Sequence, residues 1–307
     1  MSLKPQALKP GDMVGIAAPA GPFQPKELEQ GIRRLNSLGF KVRFDERVFS
    51  QHRYLAGKDQ DRAQVINDLF ADDEIRAIFC ARGGYGSVRL LPYLDLESIR
   101  KHPKIFMGSS DITSLLLYFQ SRVPLVVFHG PMVAREQIIL MTELTRTYLL
   151  KTLCSSSPAG ILQADGIRSL HPGKAEGILT GGCLSLLVRA LGTSEDFDTR
   201  GKILFIEDVD EKPYRIDRML TQLREAGKFE QVRGIVFGTM VNCQSDPDVD
   251  YSLTDVILEV MAGIEIPMLY HFPSGHGLEA ITLPFGIRAA IDADNASLSI
   301  LEGAVIE

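Results

Sequence analysis

The sequence contains no tryptophan, only four cysteines and no long apolar run. The cysteines, Cys80, Cys154, Cys183 and Cys243, are far apart, with no C-x-x-C pair and no histidine at zinc-finger spacing. This pattern argues against a structural zinc site and predicts reduced, mostly buried thiols. No segment approaches the ~18 continuous apolar residues that a membrane-spanning helix needs, so we expect no membrane partner.

Positive charge is also scarce. The chain has 33 lysines and arginines against 39 aspartates and glutamates, a net charge of −6, and no basic run. This balance argues against nucleic acid as a main partner. The first residues, M-S-L-K-P-Q-A-L-K-P-G-D, lack the apolar stretch of a secretory signal. We therefore expect a soluble cytoplasmic protein.

The 307 residues, 45% of them hydrophobic, are enough for two domains with cores of their own. In the first half, near-continuous apolar strands alternate with helices, which predicts a parallel sheet covered on both faces. The strands are predicted over 13–18, 41–44, 77–81, 104–107 and 125–128, and the helices over 25–38, 59–70, 111–120 and 136–150. In such sheets, ligands bind at the carboxyl ends of the strands.

Residues 154–174 interrupt this alternation, and their S-S-S-P-A-G and H-P-G-K runs predict a linker. We therefore predict an N-terminal α/β domain over 1–153 and a second domain over 175–307. In the second domain, strands are predicted over 177–180, 202–206, 234–238 and 268–272, helices over 183–191, 213–226 and 252–261, and a hairpin-like tail over 286–305.

The stretch F-M-G-S-S-D-I-T, residues 106–113, has the layout of a nucleophile elbow, with an apolar strand, a tight turn and an apolar helix. Such a turn pushes a serine, here Ser110, out of the backbone, where its Oγ can attack a carbonyl. The N–H of Asp111 points the same way and can stabilise an oxyanion. The alternative is that Ser-Ser-Asp only caps the helix.

A nucleophilic serine needs a base, and the base needs a group that orients it. His276 lies between two glycines just past a predicted strand, in a loop able to carry it into a cleft, although an exposed loop histidine is the alternative. His129 ends a predicted strand near the carboxyl edge of the sheet. It is a candidate for supporting the catalytic residues or for contacting the substrate. Surface positions or packing are the simplest explanation for His52, His102, His171 and His271.

The acidic candidate lies in I-L-F-I-E-D-V-D-E, where four apolar residues precede Glu207 and Asp208. Glu207 at a strand's carboxyl end would orient the imidazole and stabilise its charged form. Asp208, Asp210 and Glu211 compete for this role. The alternatives are a solvated acidic turn before a helix and an acidic metal site, which lacks a matching histidine or aspartate cluster nearby.

Arg82 precedes a Gly-Gly turn, where a guanidinium can grip a substrate carboxylate in bidentate fashion; an interdomain salt bridge is the alternative. The N–H groups of Gly83 or Gly84 can supply the second oxyanion donor. No G-K-[ST] follows this run, so it is not a Walker loop, and it does not open the first βαβ unit, so dinucleotide binding is weakly supported.

Seven blocks of the sequence match those of one family, in the same order. They are G-D-M-V-G-I-A-A-P-A from Gly11, A-R-G-G-Y-G from Ala81, G-S-S-D-I-T from Gly108, F-H-G-P-M from Phe128, G-G-C-L-S-L-L from Gly181, E-D-V-D-E-K-P-Y-R-I-D-R-M-L from Glu207 and P-S-G-H-G from Pro273. Over nearly its whole length, the chain resembles the LD-carboxypeptidases, a family of serine peptidases.

The resemblance implies a Ser-Glu-His triad at Ser110, Glu207 and His276. It also implies an N-terminal domain like class I glutamine amidotransferases, a smaller β-rich α/β domain after it, and an active site between the two. Members of the family are commonly homodimers, and the reaction needs neither metal nor cofactor.

The implied reaction releases the terminal D-Ala of cytoplasmic murein tetrapeptide, in peptidoglycan recycling, by cutting the bond after the L-centre of a diamino acid. Two alternatives remain open. One is the microcin-immunity branch of the same superfamily, which hydrolyses peptidyl and acyl nucleotide-like toxins. The other is a non-catalytic peptide-binding protein. A class I amidotransferase is disfavoured because the elbow holds serine rather than cysteine.

Two positions depart from the family pattern. Ser109 stands where an aromatic residue is usual, which makes it a conceivable stand-in nucleophile in a mutant. Cys183 stands where the family usually has asparagine, and the lost amide removes donors and acceptors near the domain junction. The absence of tryptophan excludes indole stacking on a substrate, which weighs against the microcin-immunity branch.

Overall fold

Two β-sheets organise the fold in the computed structural model, which describes residues 2–307. The strands are β1 Met13–Ala17, β2 Lys41–Phe44, β3 Ile75–Cys80, β4 Ile105–Gly108, β5 Val127–His129, β6 Gly160–Leu162, β7 Arg168–His171, β8 Lys174–Cys183, β9 Lys202–Val209, β10 Gly234–Val241, β11 Met268–Tyr270, β12 Leu283–Phe285, β13 Arg288–Asp292 and β14 Ser297–Ile300. The α/β fold class predicted from the sequence is confirmed.

The helices lie against these sheets. They are α1 Pro25–Ser37, α2 Asp59–Ala71, α3 Leu96–Lys101, α4 Thr113–Arg122, α5 Glu136–Ile139, α6 Glu143–Leu153, α7 Leu184–Ala190, α8 Pro213–Glu225 and α9 Leu253–Val260. Short 3-10 helices cover Glu46–Phe49, Ser87–Tyr93 and Ser110–Ile112. No helix within residues 2–307 is both long enough and apolar enough to cross a membrane.

The first sheet has the order β12-β5-β4-β3-β1-β2, with β1 to β5 mutually parallel. Helices cover its faces, so strands such as β3 are buried along nearly their whole length. The edge strand β12 comes from the far end of the chain and pairs antiparallel with β5. The sequence analysis missed β12, because its three residues are L-P-F and proline is compatible only with edge strands.

The second sheet has the order β6-β14-β13-β8-β9-β10-β11-β7. Its strands β8 to β11 are parallel, and β13, β14, β6 and β7 add antiparallel pairings. The prediction that residues 154–174 form only a linker is wrong, since β6 and β7 lie in this segment and form the two edges of the sheet. Both strands are short and largely exposed or half-buried, so their sequence resembles a loop. The division into two domains stays a prediction.

Two helix predictions change in detail. The single helix expected over 136–150 is α5 and α6, separated where Met141 has a left-handed φ of 34° and Thr142 caps α6 by accepting a hydrogen bond from the Thr145 N–H. The helix expected over 111–120 begins as a 3-10 turn and becomes α-helical at Thr113.

A continuous apolar core joins the two sheets. It runs from the first sheet to one face of the second, where Phe205 of β9 packs its ring 6.2 Å from Phe285 of β12 and 5.0 Å from His129 of β5. A separate cluster fills the space between the other face of the second sheet and helices α7 to α9. The first sheet and the carboxyl end of β9 are therefore held in one packed unit.

The predicted state of the thiols is confirmed. All four cysteines are free, and Cys80, Cys183 and Cys243 are buried while Cys154 is half-buried. Burial raises the pKa of Cys154 and of Cys243 to about 11, so both thiols are protonated at neutral pH.

Candidate active site

Ser110 follows β4 at the carboxyl edge of the first sheet. Its φ is 61°, a left-handed value that is strained for a residue with a side chain. The turn leaves Ser110 half-exposed, whereas Ser109 is buried with 2% exposure. The backbone therefore presents Ser110 and buries Ser109, as a nucleophile elbow requires.

Gly83 packs directly against Ser110. A Cβ added at Gly83 would lie 2.7 Å from the Ser110 Cβ, 2.8 Å from its Oγ and 3.6 Å from the Asp111 nitrogen. Gly84 instead approaches Gly21, whose nitrogen and Cα would lie 3.1 and 3.2 Å from a Cβ at Gly84. The absence of a side chain at Gly83 thus brings its backbone next to Ser110 and the Asp111 N–H.

Asp111 is hydrogen-bonded to Ser87 through both its side chain and its backbone carbonyl. Its carboxylate accepts a 2.7 Å hydrogen bond from the Ser87 N–H, and the Ser87 hydroxyl donates to the Asp111 carbonyl at 2.6 Å. Burial raises the pKa of Asp111, and these hydrogen bonds only partly oppose the rise. No sequence motif marks Ser87, so its role was not predictable. The bonds hold the loop that contains Gly83 against the turn that contains Ser110.

Arg82 lies beside this loop and is half-buried. Its Nη1 donates to the Pro22 carbonyl at 3.3 Å, and within residues 2–307 it forms no ion pair with an acidic side chain. The interdomain salt bridge considered from the sequence is therefore not formed, and guanidinium N–H groups remain for other partners.

Glu207 and His276 meet at the carboxyl end of β9. The His276 Nδ1 lies 2.7 Å from Glu207 Oε2, and the Glu207 side chain is fully buried. Gly275 makes this approach possible, because a Cβ there would lie 2.4 Å from the same carboxylate oxygen, and its φ of +116° favours glycine. The loop therefore brings His276 onto Glu207 through a glycine that no other residue can replace without a shift.

A second imidazole contacts the same carboxylate. His129 is fully buried at the end of β5, with its Nε2 3.6 Å from Glu207 Oε1 and its Nδ1 3.4 Å from the Ser274 Oγ. The Ser274 hydroxyl donates to the Ile281 carbonyl at 2.8 Å. Glu207 thus lies between two histidines, an arrangement that the sequence analysis anticipated only as a possible supporting role for His129.

Charge interactions outweigh burial for both partners of this pair. Burial alone would raise the pKa of Glu207, but the charge and hydrogen bond of His276, together with the nearby His129 imidazole, bring that pKa well below its usual range. Burial alone would lower the pKa of His276, but the charge and hydrogen bond of Glu207 raise it, with a smaller contribution from Asp208 and an opposing one from Arg135. The geometry therefore favours an ionised glutamate and a basic imidazole.

Two connections bring the Ser110 turn to the Glu207 pair. Thr113, at the start of α4, accepts a 3.1 Å hydrogen bond from the Cys183 N–H, and Cys183 is the register partner of Glu207. On the other side, Gly108 of β4 is the register partner of His129. Within residues 2–307, Ser110 and His276 do not hydrogen-bond to each other; the ring contact of His276 is with Glu207.

The competing residues lie elsewhere or have other partners. The Asp208 carboxylate accepts from the Ser185 and Val209 N–H groups, Asp210 accepts from the Asn242 amide, and Glu211 pairs with Arg215. His102 pairs with Asp73 and His171 with Glu265. His52 and His271 are exposed, so the packed position considered for His271 is wrong. In the part of the chain described, no group of three or more potential ligands could hold a metal ion.

Cys183, at the end of β8, connects to α4 through its backbone N–H. Its N–H bonds Thr113, and its Sγ lies 3.4 Å from Asp208 Oδ1 and 3.3 Å from Ser185 Oγ. Burial and the neighbouring Asp208 raise the pKa of Cys183, so the thiol stays protonated. Where the family usually has an asparagine amide, this chain therefore places a protonated thiol beside Asp208.

Comparison with known families matches both halves of the chain. Residues 14–130 match the LD-carboxypeptidase N-terminal domain, and residues 176–291 match the LD-carboxypeptidase C-terminal domain. The matched ranges include the Ser110 turn in the first case and both Glu207 and His276 in the second.

Individual relatives agree over nearly full length. The probable murein peptide carboxypeptidase of Bacillus subtilis is 40% identical, covering 100% of this chain and 97% of that protein. The solved structure of the microcin C7 self-immunity protein MccF has a TM-score of 0.91 at 28% identity, with 99% of each chain covered. The muramoyltetrapeptide carboxypeptidase structure from Oxalobacter formigenes has a TM-score of 0.83 at 28% identity, covering 96% of this chain and 100% of that one.

We predict that the Glu207→Gln variant lowers the pKa of His276. The charge that raises this pKa is removed, while the burial that lowers it remains. Imidazole titration followed by NMR should give a His276 pKa above 6.5 in the unmodified protein and a lower value in the variant. Glu211→Gln, which removes an acid paired with Arg215, is the control and should leave the titration unchanged. An unaltered His276 pKa in Glu207→Gln would contradict the electrostatic account.

Proposed function

The chain belongs to the LD-carboxypeptidase family, and we propose that it is a serine carboxypeptidase that removes the terminal D-Ala of cytoplasmic murein tetrapeptide. The observation that carries this proposal is the buried Glu207–His276 hydrogen bond beside the strained Ser110 turn. The relative from Bacillus subtilis, whose name specifies murein peptides, supports the substrate. The implied place of the reaction is peptidoglycan recycling.

In the proposed mechanism, the Ser110 Oγ attacks the carbonyl carbon of the bond between the diamino acid and D-Ala. The His276 Nδ1 is held by Glu207, so its Nε2 accepts the serine proton and later donates it to the leaving amine of D-Ala. Water then hydrolyses the acyl-enzyme by the same route. Because the His276 pKa is raised, the protonated imidazole persists to higher pH than usual, and the acid limb of the rate profile is displaced to higher pH with it.

The oxyanion formed in this step is assigned to two backbone donors. We propose the Asp111 N–H as one and the Gly83 N–H as the other, in preference to Gly84, because Gly83 packs against Ser110 and Gly84 against Gly21. Serine, histidine and backbone amides then supply the nucleophile, the base and the charge stabilisation. The proposed reaction therefore uses no metal and no cofactor.

Arg82 is the proposed ligand of the substrate's terminal carboxylate. It directly precedes Gly83 and its side chain is half-buried, and within the described residues one of its N–H groups forms a hydrogen bond, to the Pro22 carbonyl. A free carboxylate is what distinguishes a carboxypeptidase substrate from an internal peptide bond, and a guanidinium binds it in bidentate fashion.

The microcin-immunity activity is the second candidate, and one observation favours it. The fold overlaps more closely with the self-immunity protein, at a TM-score of 0.91, than with the muramoyltetrapeptide carboxypeptidase, at 0.83. Both structures are 28% identical to this chain, so sequence identity to these two proteins does not separate the substrates. The 40% identity with a murein peptide carboxypeptidase and the absence of tryptophan favour the murein substrate.

A peptide-binding protein without catalysis fits the site less well, because binding alone requires no ionised glutamate buried against a basic imidazole. The family resemblance further supports a homodimer as the assembled form.

Mass spectrometry of L-Ala-γ-D-Glu-diaminopimelate-D-Ala tests the reaction directly. The unmodified protein should remove one alanine in the presence of EDTA, and Ser110→Ala should reduce the rate by about 1,000-fold or more. The matched control is Ser109→Ala, a buried neighbour whose loss should leave most of the activity. An intact tetrapeptide after incubation with folded protein would refute the murein assignment, and cleavage of an acyl sulfamoyl nucleoside instead would favour the second candidate.

Arg82→Ala tests how the substrate's end is recognised. The kcat/KM for the tetrapeptide should fall by about 10- to 100-fold, the loss expected for a charge-assisted hydrogen bond. The kcat/KM for the same peptide with a C-terminal carboxamide should change little. Arg89→Ala, which removes an exposed arginine paired with Asp59, is the control. Equal losses on the acid and the amide would rule out carboxylate binding by Arg82.

A further inference from the structure

The loop that contains His276 is held by a side chain from the other half of the chain. Gln137 of α5 is 5% exposed, and its Nε2 donates to the Gly275 carbonyl at 2.9 Å and to the Gly277 carbonyl at 3.0 Å. These two carbonyls belong to the residues immediately before and after His276. One amide group therefore fixes the backbone on both sides of the imidazole.

We propose that Gln137 is a positioning residue that sets His276 relative to Ser110. The inference rests on the proposed function, in which His276 takes the Ser110 proton. Glycines on both sides of His276 leave the loop few side chains with which to fix itself, and Gly275 has a left-handed φ of +116°. The Glu207 hydrogen bond fixes the ring at Nδ1, and Gln137 fixes the backbone that carries the ring.

Gln137 is itself anchored next to the Ser110 turn. The segment before α5 is tied to the end of β3 by hydrogen bonds from Val133 N–H to the Cys80 carbonyl at 3.1 Å and from Ala134 N–H to the Ala81 carbonyl at 2.9 Å. Two residues after Ala81 comes Gly83, which packs on Ser110. A short, largely buried path therefore connects the nucleophile to the loop that carries the base.

The chemistry at this position requires an amide. Two carbonyls can only accept hydrogen bonds, and the NH₂ group of glutamine offers two donors from one nitrogen. The Gln137 Oε1 is buried without a partner among the described residues, so the two donated bonds are what the side chain contributes. Glutamate has nearly the same shape, but its carboxylate would face the two carbonyls with acceptors only.

The kinetic test compares Gln137→Met with Gln120→Met. Gln120 also makes a hydrogen bond between the two halves of the chain, with the Thr180 hydroxyl at 2.8 Å, but away from His276. A misplacement of about 1 Å can cost on the order of 100-fold in rate. We expect kcat for the tetrapeptide to fall by about 10- to 100-fold in Gln137→Met with KM changed little, and the Gln120→Met control to stay near the activity of the unmodified protein.

A second readout needs no turnover. The proton on His276 Nδ1, shared with Glu207, should give a downfield NMR resonance, and its exchange with water should be about 10-fold faster in Gln137→Met because the loop opens more often. If the unmodified protein does not cleave the tetrapeptide, the proposed function fails, and this measurement still decides the role of Gln137.

Gln137→Glu covers the case in which the methionine variant does not fold. It preserves the volume of the side chain and reverses the hydrogen-bonding character, so we expect a loss of kcat and faster exchange at least as large as in Gln137→Met. Unchanged kcat and unchanged exchange in a folded Gln137 variant, or equal losses in the Gln120→Met control, would overturn the proposal.

Discussion

The buried carboxylate of Glu207 is the constraint on which the arrangement of the site depends. An ionised glutamate removed from water is costly unless charges and hydrogen bonds replace its hydration. His276 supplies the 2.7 Å hydrogen bond, and His129 contacts the second oxygen. These needs explain why Glu207 lies near the carboxyl end of β9, why Gly275 has no side chain to obstruct the approach, and why β5 ends in a histidine. The cost of burial is offset only when the loops and both sheets are in place, so the site and the fold form together.

The proposed nucleophile and the proposed base follow strands of different sheets, and their alignment follows from contacts between those sheets. Phe205 packs against the first sheet, β12 extends that sheet with a segment from the far end of the chain, and Thr113 accepts the Cys183 N–H. Gln137 donates hydrogen bonds to the carbonyls on both sides of His276. Because Ser110 and His276 do not bond directly, the packing between the two sheets carries the geometry that a serine–histidine hydrogen bond would otherwise fix. Small changes in this packing are therefore expected to affect the rate more than substrate affinity.

Local patterns made much of this predictable. The alternation of apolar strands and amphipathic helices gave β1, β2, α1 and α8 nearly at their observed limits, because these signals lie within a few neighbouring residues. The Ser110 turn, the glycines around His276 and the acids near the end of β9 are also local. Gln137, Ser87 and the contact of His129 with Glu207 were not predictable, since each depends on residues brought together from separate elements. The edge strands β6, β7 and β12 were missed because short edge strands tolerate proline and polar residues.

The central claim is that Ser110 and His276 act as one unit in the same chemical step. The most direct measurement is kcat/KM for the murein tetrapeptide with Ser110→Ala, His276→Ala and the double variant, under one set of conditions. Residues that work together give strongly non-additive losses, so the account predicts a double variant about as slow as either single variant. Losses that multiply in the double variant would contradict the account, because they would show that the two side chains contribute independently.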